Sequence, residues 1–478
     1  MFILAVDQGT LSTRAMLFNQ RGDELASAQQ KITLDVQSKQ KIEQNADEIL
    51  KSVNFVIDSV LEKAHIAVAD VHVMGIATQR SSVLAWDKIT GQALSPVISW
   101  QDTRASAWLK QFSGQTDKIH HLSGLRLSAH YGASKMRWLL DSELLDSNLL
   151  SQQKNMIVSP LISFLLFNLA ETKPILIDDA NASRTLLWDV STRSWSDYLL
   201  KLFSISKAVL PKCRPTQDMF GQTKHGISIT ALNGDQTAAL YAEGEPQPER
   251  IYINMGTGAF VLMPVQQSEI VDTKFTTSGL LAGISSSDKD TANYYMEGTV
   301  NGAAAALLWF ADKRNGLDVE AVLKNNGFAD DAEIPLFINT VAGLGSPWWK
   351  PGIEPCFYEK ELAEVDTDIA IVSILESIVF LLQCNIDVMC SIKRAIEVIK
   401  ITGGLSNIDL LCQKIANLSQ IVVHRSENHQ ATAKGIAYLA AGKPKAWGSG
   451  AEKGIFMPVE DDCLKRRYQC FVKIIKRL

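Results

Sequence analysis

The sequence predicts an α/β protein made of two related halves that close on a nucleotide. Three observations lead there. Residues 1–20, MFILAVDQGTLSTRAMLFNQ, and residues 250–265, RIYINMGTGAFVLMPV, share one design: an apolar strand, a tight Gly-Thr turn and a second apolar strand. In each half a long helical stretch and then a buried strand follow the hairpin. Only the first turn has an acid, Asp7, directly ahead of its glycine, which suits a metal-bound phosphate.

The elements follow in order. After the first hairpin, Ala46–Ala64 has Ile49, Val53, Val56, Ile57 and Val60 at helical spacing, and Asn45 with Glu48 reads as a capping pair. VHVMGIATQ (71–79) reads as a buried strand. The stretch YAEGEPQPER (241–250) clusters Gly, Pro, Gln and charge, so the halves are expected at 1–243 and 244–478, with a hinge at Ala242–Glu249. In the second half a long helix is expected over Asp368–Ala395, opened by Thr367. The strand EVIKIT (397–402) then runs into Gly403-Gly404. VAGLGSPWWKPGIEP (341–355) reads as a rigid, shaped surface loop.

Composition narrows the class. At 478 residues the chain exceeds one ordinary core, and two or three domains are expected. Apolar content of 46% and charged content of 21% are those of a globular protein. A net charge of −5 argues against a nucleic-acid binder. No membrane span is expected: the nearest stretch, Ile369–Leu382, holds Ser373, Glu376 and Ser377 and is short. The start, MFILAVDQG, lacks a basic region and a cleavage site, so no secretion signal is expected. Seven cysteines are scattered without a C-x-x-C; several sit in apolar helical patterns and read as reduced core thiols, and a cytoplasmic protein is expected. The basic end, KRRYQCFVKIIKRL (465–478), reads as a helix packed on its own domain rather than on a membrane surface.

Four motifs can carry chemistry. In Asp7-Gln8-Gly9-Thr10 an acid leaves a strand into a glycine turn, whose successive N–H groups form an anion nest. Thr10, Ser12, Thr13 and Arg14 add donors, and an ordinary hairpin turn is the plain alternative. In the partner turn, Gly256-Thr257-Gly258, two glycines let backbone approach a phosphate. In Asn233-Gly234-Asp235-Gln236 the acid opens an apolar helical run, TAALYA (237–242), either as a helix cap or as a general base. Thr402-Gly403-Gly404-Leu405-Ser406 follows a strand, and its glycines admit a flat ring or a phosphate. A Walker loop, H-E-x-x-H, zinc-spaced Cys/His and G-x-S-x-G are all missing. His120-His121 reads as exposed helix-end residues.

With these motifs in this order the chain resembles the FGGY carbohydrate kinases, within the actin-like and hexokinase-like ATPases, and their glycerol kinase branch above all. Supporting stretches are GIATQRSS (75–82), VISWQDTRA (97–105), ANASRTLLWD (180–189), GLGSPWW (343–349), LESI (375–378) and TAKGIAYLAAG (432–442). The resemblance implies two ribonuclease-H-like domains around a central cleft, with ATP mostly on the second and the polyol mostly on the first. It places Asp235 as catalytic base and Asp7 as the magnesium-linked carboxylate, with Asp235 also at the metal. Nucleotide contacts fall on Thr10, Ser12, Thr13, Arg14, Gly256, Thr257, Gly258, Ala304, Gly403 and Gly404. Acceptor contacts fall on Arg80, Trp100, Asp235, Gln236 and Phe260.

The chain departs from glycerol kinases at Ser81, which replaces the acid of their Q-R-E motif, and at His130, which replaces a substrate-facing Tyr. Leu308 replaces a polar Gln, and GQTKHGISI (221–229) lacks the G-G-T-R regulatory loop. Ser81 and His130 therefore join the expected acceptor contacts. The activity implied is ATP- and Mg2+-dependent phosphorylation of a hydroxyl of a small polyol or sugar, with a homodimer left open. A ketopentose such as xylulose or ribulose, or a longer polyol, is the alternative acceptor. A non-catalytic ATP-binding regulator is the remaining reading.

Overall fold

The computed structural model describes residues 1–141, 154–319, 322, 334–393, 396–426, 430–448 and 452–478. The chain divides into two compact units. The first holds Met1–Pro246, Ala282–Tyr294 and Gln430–Ser449; the second holds Gln247–Leu281, Tyr295–His429 and Gly450–Leu478.

In the first unit β1 (Phe2–Gln8) and β2 (Ser12–Phe18) form the expected hairpin, and β3 (Glu24–Lys31) pairs antiparallel to β2. Helix α1 (Ala46–Ala64) lies over β2 and β3 and buries Ile49, Val53, Val56 and Val60, the stripe its periodicity sets out. Asn45 caps α1, its Oδ1 accepting the N–H of Asp47 at 2.9 Å and of Glu48 at 3.0 Å. The pair is not reciprocal, because the Glu48 carboxylate accepts from the N–H and hydroxyl of Thr33 instead, both at 3.0 Å. The unit continues with β4 (Val71–Thr78), α2 (Gly132–Leu140), β5 (Gln217–Gln222), β6 (Ser228–Gly234) and α3 (Asp235–Ala239).

The sheet order is β5-β6-β4-β1-β2-β3, and the parallel strands β6, β4 and β1 end level: Gln8 pairs with Thr78, and Thr78 with Gly234. In such sheets ligands bind beyond the carboxyl ends of the strands. Between β4 and β6 the chain makes a long insertion containing α2. Two of its strands, Val83–Asp87 and Met156–Pro160, belong to a separate five-stranded sheet.

Contiguous halves parting near 243 were expected, yet the segment Gln430–Ser449 returns to the first unit. Its helix, Ala431–Ala440, presses against the sheet and against α3 through two glycines. A Cβ on Gly435 would lie 1.8 Å from the Ala238 carbonyl oxygen, and one on Gly75 would lie 2.7 Å from that of Ile436. Only bare backbone allows that approach.

The second unit holds β7 (Arg250–Met255), β8 (Ala259–Val265), β9 (Ala292–Val300, in this unit from Tyr295) and α4 (Ala304–Lys313). After these come α5 (Thr367–Ile392), β10 (Val398–Thr402), α6 (Asp409–Ser419), β11 (Val422–Ser426), β12 (Glu452–Phe456) and α7 (Asp462–Arg477). Within its seven-stranded sheet the order β12-β11-β10-β7-β8-β9 repeats the six-strand order of the first unit, and one further strand, Leu281–Ser287, adds at the β9 edge. The parallel trio β11-β10-β7 answers β6-β4-β1. The duplication expected from the pattern is therefore a duplication of topology.

Helix α5 is capped by Asp366 rather than opened by Thr367. It reaches Ile392, and the expected end at Ala395 lies outside the described residues. At 26 residues it has the length and composition to cross a membrane, but its most apolar window is 94% buried inside the fold. Within it Glu376 is 1% exposed and accepts from Lys414 of α6 at 2.8 Å and from Arg467 of α7 at 2.6 and 2.8 Å. With Leu464, Phe471 and Ile475 buried as well, the basic end is packed on its own unit. The loop 341–355 is held as rigidly as expected. Trp349 Nε1 donates to the Gly279 carbonyl at 2.6 Å, and a Cβ on Gly345 would meet the Thr299 carbonyl oxygen at 2.0 Å. All seven cysteines are free thiols, with Cys384 and Cys412 buried.

Candidate active site

Two acids meet at the carboxyl end of the first unit's sheet. Asp7 lies one residue before the end of β1, and Asp235 opens α3. Gly234, not Asp235, is the N-cap, so the carboxylate is not used as a cap; its Oδ1 accepts the neighbouring Gln236 N–H at 2.7 Å. Arg80 Nε stands 3.7 Å from the same oxygen, with Arg80 buried and Asp235 28% exposed. Burial pushes the Asp7 carboxyl up to about 7; the charge of Asp235 adds to that rise and Arg14 opposes it. The two acids are thus close enough to feel each other's charge. Among the described residues no protein donor hydrogen-bonds the Asp7 carboxylate, and no cluster of three or more His, Cys, Asp or Glu could hold a metal alone. Two carboxylates on one rim, one of them without a protein hydrogen bond, fit magnesium. That ion takes one or two carboxylates and completes its shell with water and phosphate oxygens.

The Gly9-Thr10 turn is set by amides beneath it. Gly9 N–H donates to Ser12 within the hairpin at 3.0 Å. The Gly9 carbonyl accepts from Gln8 Nε2 at 2.7 Å and the Thr10 carbonyl from Gln44 Nε2 at 2.8 Å. Gln79 Nε2 ties these together, donating to the side-chain oxygens of Gln8 at 3.1 Å and Gln44 at 2.9 Å. Holding the carbonyls on one side fixes the peptide planes of the turn, as an anion nest requires. The Thr10 hydroxyl accepts from Trp100 Nε1 at 2.9 Å and keeps its own proton to donate. Arg14 lies opposite Asp7 in the hairpin, beside Ser12 at the turn. Thr13 is not brought to this site. Strand alternation turns it to the other face, where its hydroxyl sits 2.6 Å from that of Ser52 on α1, fully buried.

Beyond Arg80 the chain passes through Ser81, a non-glycine residue with φ +65° and 2% exposure. Left-handed backbone of this kind concentrates at functional sites. The Ser81 hydroxyl donates to the Arg184 carbonyl at 3.3 Å, so toward a ligand it can only accept. Trp100 and His130 pack edge to face with centroids 5.5 Å apart. Burial, followed by the charges of Lys135, Arg184 and Arg80, drives the His130 imidazolium well below its usual range, leaving a neutral ring. The Trp100 loop is anchored by Asp102, which accepts from Ile42 N–H at 2.8 Å and from Arg104 at 2.7 Å. Arg104 also pairs with Glu43 at 2.7 Å and stacks over Trp138. Gln236 follows Asp235 on α3, whereas Phe260 lies on β8 of the second unit. Of the histidine pair, His121 is exposed as expected, but His120 is 1% exposed and belongs to the core.

In the second unit the Gly256-Thr257-Gly258 turn sits on the start of α4. Ala303 and Ala305 N–H donate to the Thr257 carbonyl at 3.1 and 3.0 Å, and Ala304 N–H to that of Gly256 at 3.1 Å. The Ala304 amide is therefore used inside the fold, and only its methyl group can face a ligand. Leu308, one turn on, is 65% exposed. Gly403 has φ +93°, and a Cβ there would lie 2.4 Å from the Met255 carbonyl oxygen, so the strand-end turn needs glycine. Around Gly404 a Cβ would meet nothing within 4 Å, which leaves space for a flat ring.

Sequence reasoning missed Gln8, Gln44, Gln79 and Lys135 as site residues. Glutamine amides that hold a turn from below are part of no motif. Lys135 lies in an apolar helical run whose pattern shows only that its position faces inward.

The N-terminal domain of the FGGY family of carbohydrate kinases matches residues 2–236, and the C-terminal domain of that family matches residues 251–442. A glycerol kinase of Acinetobacter baylyi is 30% identical over 475 residues, covering 96% of this chain and 92% of the relative. Among solved structures, a Plasmodium falciparum glycerol kinase with ADP is 24% identical, with a TM-score of 0.86, covering 100% of this chain and 98% of that one. A ligand-bound xylulose kinase from Lactobacillus acidophilus is 17% identical, with a TM-score of 0.86 and coverage of 100% and 98%. These last two share the fold.

Proposed function

The chain belongs to the FGGY family of carbohydrate kinases, phosphotransferases with an alcohol acceptor, and on that premise we propose that Asp235 is the base that prepares a primary hydroxyl of a small polyol or sugar for attack on ATP. The observation that carries this reading is the grouping of Asp235, Arg80 and Asp7 at the level ends of three parallel strands.

Phosphoryl transfer needs positioning and charge neutralisation more than covalent help. Asp235 accepts the proton of the acceptor hydroxyl as its oxygen attacks the γ-phosphorus, and the bond from that phosphorus to the bridging oxygen breaks to release ADP. Arg80 and Gln236 hydrogen-bond neighbouring hydroxyls and hold the attacking oxygen in line. Trp100 packs on the carbon face of the acceptor, and Phe260 of the second unit is assigned to the acceptor as well. In the first unit the Thr10 hydroxyl and Arg14 donate to phosphate oxygens, with Ser12 beside them. In the second unit the Gly256-Thr257-Gly258 turn takes phosphate, while Gly403-Gly404, the Ala304 methyl and Leu308 take adenosine. Asp7 and Asp235 would hold magnesium, which when bound neutralises charge on the β- and γ-phosphates. Free thiols throughout fit a reducing, cytoplasmic setting.

The acceptor is where this chain parts from glycerol kinases. Ser81 offers a neutral acceptor atom where a carboxylate would give a charge-assisted bond, and His130 is a neutral ring. Both changes favour an acceptor bulkier than glycerol. Acceptor-dependent ADP release over a panel of triols, longer polyols and ketopentoses tests the reading. A saturable signal with one class, abolished in Asp235→Asn, is expected. Silence across the panel would defeat the assignment.

A further inference from the structure

Lys135 is a charged residue in the interior of the first unit, 1% exposed on α2. Its ammonium donates to three backbone carbonyls: Ser81 at 3.0 Å, His130 at 2.6 Å and Trp100 at 3.4 Å. An ammonium has three donors and no acceptor, so all three are engaged. The three carbonyls come from separate segments: the turn after β4, the W-Q-D-T-R loop and the chain just before α2. The nearby Asp102 carboxylate is already occupied by Arg104 and the Ile42 N–H. Lys135 is therefore not half of a buried ion pair. Burial of an ammonium is unfavourable and pushes Lys135 down to about 7. The fold retains it at the single point where three segments converge.

We propose that Lys135 is the positioning residue of the acceptor pocket, a three-way tie that sets where the side chains of Ser81, Trp100 and His130 point. It touches neither the phosphate turn nor Asp235; it acts through the backbone of three residues assigned to the acceptor. The inference rests on that assignment. A merely structural lysine would, on removal, lower stability and degrade acceptor and ATP use together. A positioning lysine would degrade acceptor use alone.

The test is a donor series in the full-length enzyme: Lys135 with three donors, Lys135→Gln with two and Lys135→Met with none. KM for acceptor and for ATP, kcat, and acceptor-free ATP hydrolysis are measured beside the melting temperature. Acceptor KM should rise roughly 3- to 10-fold for Gln and roughly 30-fold or more for Met, the scale of one and of several lost hydrogen bonds. ATP KM and acceptor-free hydrolysis should stay within about twofold. Where Lys135→Met does not fold, Lys135→Arg replaces it, because a planar fork cannot converge on three carbonyls, and the same split should appear. Acceptor and ATP KM rising together, or an unmoved acceptor KM in every folded variant, would overturn the proposal. If the wild type shows saturable acceptor dependence and the series does not shift it, the positioning role alone fails. If the wild type shows no acceptor dependence, the underlying pocket assignment is at fault and the proposal falls with it.

Discussion

Arg80 lies across the bare backbone of Gly234. A Cβ on Gly234 would sit 2.5 Å from Arg80 Cγ and 2.8 Å from its Cδ, and the same side chain ends with Nε 3.7 Å from Asp235 Oδ1. Glycine before the base is thus a requirement of the arginine, not of the turn, since Gly234 itself has ordinary extended backbone. Gly234→Ala should push Arg80 off Asp235. Overpacking of this kind costs about 1–3 kcal/mol, so acceptor KM should rise about tenfold while ATP KM holds. Equal kinetics in the variant would show that Arg80 does not need this path.

Asp235→Asn keeps shape, and its Oδ1 can still accept the Gln236 N–H. Melting temperature and nucleotide binding should be unchanged while kcat falls by about 10²-fold or more, the scale of a general base. Wild-type turnover would remove Asp235 from that role.

Asp7→Ala should act through the metal. A magnesium titration of ADP release should shift to higher concentration and reach a lower plateau. Acceptor binding measured by calorimetry without nucleotide should stay near wild type. Lost acceptor binding with an unchanged magnesium curve would exchange the roles of the two acids.

Ser81→Glu restores a carboxylate to the pocket. A hydrogen bond to a charged group is worth about 1.5–3 kcal/mol, so kcat/KM for glycerol should improve about tenfold relative to the preferred native acceptor. If glycerol already has the highest kcat/KM in the wild type, the argument from Ser81 and His130 fails.

Stability should depend on pH through Asp178, which caps the short helix Asp179–Ala182 in the insertion. Burial pushes its carboxyl up to about 7 against the hydrogen bonds from Asn181. From about pH 4, near its ordinary value, to about pH 7 the native state holds a proton that the unfolded chain has lost. Its contribution to stability therefore falls as pH rises through that window and levels off above it. Asp178→Asn should flatten this slope, so the wild-type melting temperature relative to the variant should drop between pH 5 and pH 8. Parallel curves would mean that the carboxyl ionises normally.

Much of this was legible in the chain. The strand-turn-strand pattern located both hairpins, and the apolar stripe of α1 gave that helix its ends. Asp7 and Asp235 stood out through the company of the other glycine turns and the family resemblance, because an acid beside glycine at a strand end also serves in plain hairpin turns and as a helix cap. What stayed hidden depends on through-space geometry. Thr13 reads as one of several donors until strand alternation turns it toward Ser52. Ala304 is placed at the nucleotide by the resemblance alone, and the sequence does not show that its N–H is taken by the Gly256 carbonyl. Lys135 and the glutamines under the Thr10 turn act on backbone atoms from distant segments, and spacing along the chain has no record of that.

The return of Gln430–Ser449 to the first unit bears on how the molecule is made. Helix Ala431–Ala440 covers β1 and β4, strands that leave the ribosome first, so their apolar face waits for nearly the whole chain to be synthesised. The first unit is begun first yet completed only after most of the second has been made. Premature termination ahead of Gln430 would remove part of both units, not only the second.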